Sequence, residues 1–275
     1  MAQTTGLKRN TIDKYYTTPA IVKQCIDFVR QCISIDERDL CIEPSAGNGA
    51  FINDIKKIFS QYRFYDIDPH HIEIDTMDYL QLDYTTLNIC QYRKIHCIGN
   101  PPFGRQSSLA IKFIKKSASY CDSISFILPK SFKKDSLKKH FPQSFHLEYE
   151  YDIPENSFLV DNTIYNVPCV FQIWIKKDIP RTLPEKLEPI GYQFVEKETN
   201  PDVSVRRVGV YAGKIDKQVE TKSKQSHYFI KFDREIENTT MKTLSDIEYA
   251  SKYYTVGPRS ISKQELIKEF NVVMK

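Results

Sequence analysis

Apolar positions along this chain come in short runs separated by polar loops, and the spacing inside each run predicts an element. Ile21, Val22, Cys25, Ile26, Val29 and Ile33 recur at helical spacing. Thr18 stands where that helix would be capped, with Pro19 at its first position. Leu40-Cys41-Ile42 reads as a short buried strand, and after a turn Ile52, Ile55, Ile58 and Phe59 read as a second helix. Further strands are predicted over 62–67, 72–80, 95–98 and 123–129. Over 104–116 an amphipathic helix would turn Leu109, Ala110, Phe113 and Ile114 inward and Arg105, Lys112, Lys115 and Lys116 outward. Strands alternating with helices predict an α/β fold with a mostly parallel sheet. Two more strands, 145–151 and 167–175, suit an antiparallel hairpin closing that sheet.

The texture then changes. Pro180-Arg181-Thr182-Leu183-Pro184 is the clearest linker signal. Beyond it come β-like stretches at 203–211 and 227–232 and helical ones at 244–249 and 264–270, with Lys-rich polar sequence between them. The pattern divides the chain into a main domain, 1–177, and a small carboxy-terminal appendage, 178–275. Residues 1–13 are polar and read as an arm.

Bulk properties narrow the class. The 275 residues are 41% hydrophobic and 27% charged with a mean hydropathy of -0.45, the composition of a soluble globular protein. A net charge of +4 permits a polyanionic partner without demanding one. Seven scattered cysteines with no CxxC pair fit a reducing compartment and argue against a disulfide framework or a zinc site, so no metal is expected. No apolar run approaches a membrane span. The expectation is an intracellular, soluble, cytoplasmic protein.

Candidate chemistry centres on Asn100-Pro101-Pro102-Phe103, at the carboxyl end of the strand 95–98, where α/β enzymes keep their sites. Such a loop suits methylation of a planar exocyclic amine. The amide oxygen of Asn100 and the carbonyl of Pro101 would each accept one amine hydrogen, aiming the nitrogen lone pair and stabilising the positive charge that develops on it. The prolines offer no N–H and move little, and Phe103 offers a stacking face. The same residues would also simply end a strand and turn the chain.

Glu43-Pro44-Ser45-Ala46-Gly47-Asn48-Gly49-Ala50-Phe51 forms a glycine-containing turn between a strand and a helix, the architecture that cups nucleotide-like cofactors. Its acid and its lack of a GxGxxG grip point to a cofactor without phosphates. Asp66, at the tip of the next strand beside Ile67, is placed to accept from ribose hydroxyls. Lys130, Lys133 and Lys134 belong to a basic run after the strand 123–129, on the rim that carries the Asn100 loop; it could meet phosphates or be a solvated face.

In this order the motifs resemble those of the class I S-adenosylmethionine-dependent N6-adenine methyltransferases, over roughly residues 14–177. The resemblance implies a Rossmann-like sheet and S-adenosylmethionine as cofactor. It places Tyr16-Thr17-Thr18-Pro19 over the methionine end and Glu43 to Phe51 as the cofactor loop. It makes Asp66 the ribose-binding acid, and Asp78 and Tyr79 the contacts to the cofactor's adenine. It makes Asn100 to Phe103 catalytic, with Asn100 also lining the cofactor site. It further implies an aromatic stacking on the flipped target base, Phe158 first and Tyr165 second, and a nucleic-acid partner, with residues 178–275 as target-recognition region. DNA is favoured modestly. RNA adenine-N6 or guanine-N2 methylation, protein glutamine-N5 methylation, and a catalytically silent nucleic-acid-binding subunit stand as alternatives.

Overall fold

In a computed structural model the chain is described over residues 15–160 and 163–275; the expected polar arm at 1–13 and Lys14 lie outside the described residues. Two compact units divide between Leu183 and Pro184, inside the proline-bracketed segment 180–184, where the sequence places the boundary at 177/178.

The first unit contains, in chain order, β1 (Tyr16–Thr17), α1 (Pro19–Cys32), β2 (Leu40–Glu43), α2 (Ile52–Lys56), β3 (Gln61–Asp66), β4 (Asp75–Thr76), β5 (Ile95–Gly99), α3 (Ser108–Ala118), β6 (Ser123–Pro129), α4 (Asp135–Lys138), β7 (Phe145–Asp152), β8 (Phe158–Val160), β9 (Thr163–Tyr165) and β10 (Cys169–Lys176). Seven strands form one sheet in the order β4-β3-β2-β5-β6-β10-β7. From β4 to β6 all neighbours are parallel. This is the mostly parallel α/β architecture that the pattern predicts, and the Rossmann-like sheet that the resemblance implies. Every residue of β2, β5 and β6 is buried, as in strands covered on both faces.

The hairpin is arranged differently from a simple appended pair. β10 runs antiparallel to both β6 and β7 and takes the inner place between them, leaving β7 at the edge. Composition explains this: Cys169 to Trp174 is buried throughout, whereas β7 carries half-exposed charged and tyrosine residues. The one polar residue of that buried run, Gln172, is satisfied by Trp174 Nε1, the Phe132 carbonyl and Glu150.

Two local expectations are corrected. The strand expected over 72–80 shrinks to β4, because Ile72 is almost fully exposed and the Asp78 carboxylate accepts from Leu80 N–H, winding 79–81 into a 3-10 turn. Helix α3 begins at Ser108, not Gly104. Gly104 sits at φ 68, where a Cβ would fall 2.9 Å from the Leu109 nitrogen, and Gln106 and Ser107 are also left-handed. The short strand β1 precedes α1. It pairs with β8, which pairs with β9, in a separate three-stranded sheet.

At the amino-terminal end of the main sheet, away from the carboxyl ends, a buried polar cluster braces β2, β5 and β6. Ser123 Oγ meets His96 Nδ1 at 2.7 Å, His96 Nε2 meets Asp39 at 3.3 Å, and Arg93 grips both Asp39 oxygens. Burial alone would raise the Asp39 carboxyl, but Arg93, the Asp36 N–H and His96 together hold it below the ordinary range.

The second unit contains β11 (Tyr192–Phe194), β12 (Val203–Arg206), β13 (Ile215–Asp216), β14 (His227–Phe232), α5 (Asn238–Ser245) and α6 (Lys263–Met274). Its antiparallel sheet runs β11-β14-β12-β13. Its own core includes Tyr192, Val205, Ile230, Leu244, Leu266 and Phe270. Helix α5 ends at Ser245, so the helical stretch expected at 244–249 lies mostly beyond it; α6 begins on a capping box of Ser262 and Glu265.

Candidate active site

The chain enters the sheet at β2, moves outward through β3 to β4, then returns to β5 on the other side of β2. The order therefore reverses between β2 and β5, and a crevice opens above their carboxyl ends. Glu43 ends β2 and Asn100 follows β5, so the topology alone brings the two sequence motifs together.

A cleft of about 370 Å³ occupies this place, within the ~300–1,000 Å³ range of small-molecule sites. Of the residues expected to hold a cofactor, Tyr16, Thr17, Glu43, Pro44, Ser45, Ala46, Gly47, Asn48, Phe51, Asp66, Ile67, Asp78, Tyr79 and Asn100 line it. Thr18, Pro19 and Gly49 do not. Thr18 occupies the cap position of α1 without a side-chain bond, and its N–H donates to Ser157. Ala50, within the expected cofactor loop, also lines the cleft, and so do Tyr15, Met77, Leu80, Leu109 and Phe113, which were not expected there. The i, i+4 pair Leu109 and Phe113 was legible as an inward helix face; nothing in the sequence said that the face looks into a cleft.

Local geometry builds the cradle. Gly47 has φ 56, and its N–H donates to Asp66 Oδ2 at 2.7 Å. A Cβ there would come within 3.0 Å of the Tyr16 ring, so only glycine lets that ring close over the turn. Asp66 Oδ1 accepts from Asp68 N–H, and each carboxylate oxygen keeps a further lone pair for a ligand. Tyr79 lies deeper than expected. Its ring stacks on Phe113 and its hydroxyl meets Ser117 and Tyr120.

The titratable side chains lining the cleft, apart from the tyrosines, are all acids: Glu43, Asp66 and Asp78. Among the described residues no lysine or arginine faces it, so the cleft they form suits a ligand that is cationic and carries no phosphate. Glu43 is 2% exposed, and its Oε2 is buried without a hydrogen-bond partner. Burial, and then the charge of Asp66, push its carboxyl well above the ordinary range.

Asn100 is held from three sides. Its Nδ2 donates to the Tyr15 carbonyl at 3.0 Å and to Thr17 Oγ1 at 3.2 Å, and its own carbonyl accepts from Ser45 Oγ at 3.3 Å. Both amide hydrogens are thus engaged, which fixes the amide orientation. Its Oδ1 is buried and has no partner. Pro102 lines the cleft beside it, whereas Pro101 and Phe103 are buried. The Phe103 carbonyl accepts from Leu109 and Ala110 and so ties the loop to the start of α3.

Aromatic residues gather next to this loop. Tyr15 stacks on Phe103 at 6.3 Å and on Tyr165 at 5.5 Å. Phe158, the first choice for a base-stacking face, is instead 1% exposed; Tyr165, its partner across the β8–β9 ladder, is the half-exposed ring. The lysines expected to meet phosphate are paired within the chain. Lys130 and Lys133 reach Asp152 at 3.6 and 2.9 Å, Lys133 also approaches Glu150, and Lys134 is half-buried. Two acids of β7, Glu150 and Asp152, which the reading of the basic run left out, pair with Lys130, Lys133 and Lys138.

Among the described residues no helix is long and apolar enough to cross a membrane, and no group of three or more His, Cys, Asp or Glu is arranged to hold a metal.

The sequence matches no protein-family profile and no curated protein. Solved structures share parts of its shape. One is PH1948 of Pyrococcus horikoshii, assigned provisionally as an RNA methyltransferase, at 14% identity, covering 63% of this chain and 93% of that one with a TM-score of 0.45. A second is the 23S rRNA methyltransferase ErmE, at 12% identity, 62% and 72% coverage and a TM-score of 0.45. A third is the methyltransferase subunit of a type I restriction-modification system from Streptococcus thermophilus, at 15% identity, 60% and 44% coverage and a TM-score of 0.43. At these scores the likeness carries no weight for function, which rests on the residues of the cleft.

Proposed function

We propose that this chain transfers a methyl group from S-adenosylmethionine to the N6 amino group of an adenine in nucleic acid, with DNA favoured modestly. The observation that carries the proposal is the orphaned Oδ1 of Asn100. A buried acceptor without a partner costs about 1–3 kcal/mol. Here it is kept in place by two hydrogen bonds to the other end of the same amide, at the mouth of the crevice. An amine hydrogen from a substrate would satisfy it.

The cofactor fits the cleft by charge and by cradle. Glu43, Asp66 and Asp78 suit a ligand bearing a sulfonium and an ammonium group, and among the described residues no cation lines the cleft to meet a phosphate. Asp66 would accept from the ribose hydroxyls, and Glu43 Oε2 would gain the partner it lacks. When bound, S-adenosylmethionine supplies an electrophilic methyl group on its sulfonium.

The chain's own residues then position the amine. Asn100 Oδ1 accepts one N6 hydrogen, and the Pro101 carbonyl is the second acceptor in this reading. The two dipoles draw the nitrogen toward tetrahedral geometry and stabilise the positive charge developing there. The proton can leave once the nitrogen is cationic, so no dedicated base is needed. In a duplex the base must first leave the stack, at a cost of a few kcal/mol. Tyr165, the half-exposed ring, would then offer it a stacking face. DNA is favoured because the cofactor motifs come first and a separate unit follows, as in adenine-modifying DNA enzymes that the motifs resemble.

The test offers labelled S-adenosylmethionine with separate pools of duplex DNA, single-stranded DNA, RNA and protein, then identifies the modified unit by mass spectrometry. N6-methyladenine in DNA is the expected product. Label only in RNA, in guanine or in protein glutamine would replace the substrate, and no transfer to any pool would remove the enzyme reading. Asn100→Ala should abolish transfer while leaving cofactor binding largely intact; near-normal turnover would sink the mechanism.

A further inference from the structure

The second unit contains a recess of about 150 Å³ lined by Arg206, Tyr211, Lys214, Asp216, Lys222 and His227. It lies wholly within that unit, among the ends of β12, β13 and β14 and the turn after β12. At that size it is below the range of whole-ligand sites, about 300–1,000 Å³, and suits a single polar group.

Its charge is lopsided. Asp216 is the one carboxylate among these six, and it is committed: one oxygen is paired with Lys222 and the other accepts from Gln218 N–H. Among the described residues neither Arg206 nor Lys214 has a carboxylate partner, so two cations in the recess are uncompensated. Arg206 is steered by a bond from its Nε to the Val208 carbonyl at 2.9 Å. Its guanidinium lies against Gly209, where a Cβ would come within 3.6 Å of it. The terminal nitrogens of that fork match a tetrahedral oxyanion. His227 is 8% exposed, and its Nδ1 faces the Ser223 carbonyl at 3.1 Å. Ser226 Oγ meets the same nitrogen at 3.0 Å.

Beside the recess the surface changes character. Val210 and Tyr211 are 57% and 69% exposed, with Lys214 over the Tyr211 ring at 5.9 Å. A large ring left in solvent next to uncompensated cations is the pairing used to hold single-stranded nucleic acid, base on ring and phosphate on cation.

We infer that this recess is a phosphate-binding site of the second unit, and that the phosphate it takes belongs to a nucleic-acid strand whose neighbouring base stacks on Tyr211. The site is separate from the methyl-transfer cleft and does not depend on what that cleft does.

The test uses the full chain without cofactor. Inorganic phosphate is titrated and followed by 31P line broadening, and a short single-stranded oligonucleotide carrying a fluorophore is titrated by anisotropy over a range of salt. Lys214→Gln and Arg206→Gln should each remove the phosphate broadening. Together they should weaken oligonucleotide binding about tenfold or more and reduce the salt slope by about 0.7, the contribution of one single-strand phosphate contact. Tyr211→Ala should weaken the oligonucleotide and leave phosphate binding alone. If both lysine and arginine variants keep the wild-type circular dichroism and still bind phosphate and oligonucleotide as before, the site is overturned. If they lose phosphate but keep full oligonucleotide affinity and salt slope, the strand is overturned as the source and a free phosphate or phosphomonoester takes its place. Neither readout involves methyl transfer, so failure here and failure of the methyltransferase reading are told apart.

Discussion

Two side chains of the cleft, Glu43 and Asn100, each hold a buried oxygen without a partner. Glu43 is a buried acid with an unpaired oxygen, its carboxyl pushed well above the ordinary range by burial and by the Asp66 charge. A cationic ligand favours its ionised form, so binding should release a proton and tighten as pH rises above the ordinary carboxylate range. Calorimetric titration of S-adenosylmethionine in buffers of different ionisation enthalpy measures that release. Glu43→Gln removes the titration while keeping the shape. We expect a melting temperature equal to or above wild type, no proton release, and cofactor affinity lower by roughly tenfold, the effect of one charge-assisted bond. Thr17 acts through Asn100. With Thr17→Val the strand residue keeps its bulk but loses Oγ1, leaving Tyr15 as the described anchor of the amide. A hydrogen bond worth about 1 kcal/mol should appear as a several-fold loss in kcat with cofactor affinity unchanged. A loss in affinity alone would show that Thr17 serves the cofactor instead.

Among the elements, the brace under β2, β5 and β6 gives the sheet a pH dependence. Burial holds His96 below its ordinary 6.5, so the folded chain stays neutral there while the unfolded chain takes a proton. Stability is therefore lost as pH falls from about 6.5 toward the folded value. Asp39, held low, adds a second loss only as pH falls through its own folded value. Melting temperatures from pH 8 to 5 should fall in wild type, and His96→Gln should flatten part of that slope. His140 and His227, also lowered by burial, keep their share. The strands that this cluster joins were the ones most legible in the sequence, because a strand covered on both faces is apolar without interruption. The three-stranded sheet of β1, β8 and β9 was not legible. Two or three residues per strand carry no period, and their pairing spans about 140 positions of chain. Hence Glu43, Asp66 and Asn100 could be picked out as motifs at strand ends. The orientation of the Asn100 amide could not, since it is set by β1, and neither could the burial of Phe158 or the neutralisation of Lys133 by β7.

At the scale of the whole molecule, the two units have separate cores, and this separation is testable without reference to activity. Phe270 is fully buried in the second core, edge-on to Tyr192 at 5.5 Å. Truncation to alanine in such a place costs about 3–5 kcal/mol, a large share of what a small unit possesses. If each core holds only its own unit, hydrogen exchange in Phe270→Ala should accelerate across β12 and β14 and leave the amides of β2, β5 and β6 protected as in wild type. The same variant should be cut faster by protease within the second unit, while the fragment ending near Leu183 survives with its cofactor affinity intact. Loss of protection spreading into β5 would mean that the cleft depends on the second unit for its stability. In that case, substitutions in the phosphate recess would have to be judged by cofactor affinity as well as by strand binding.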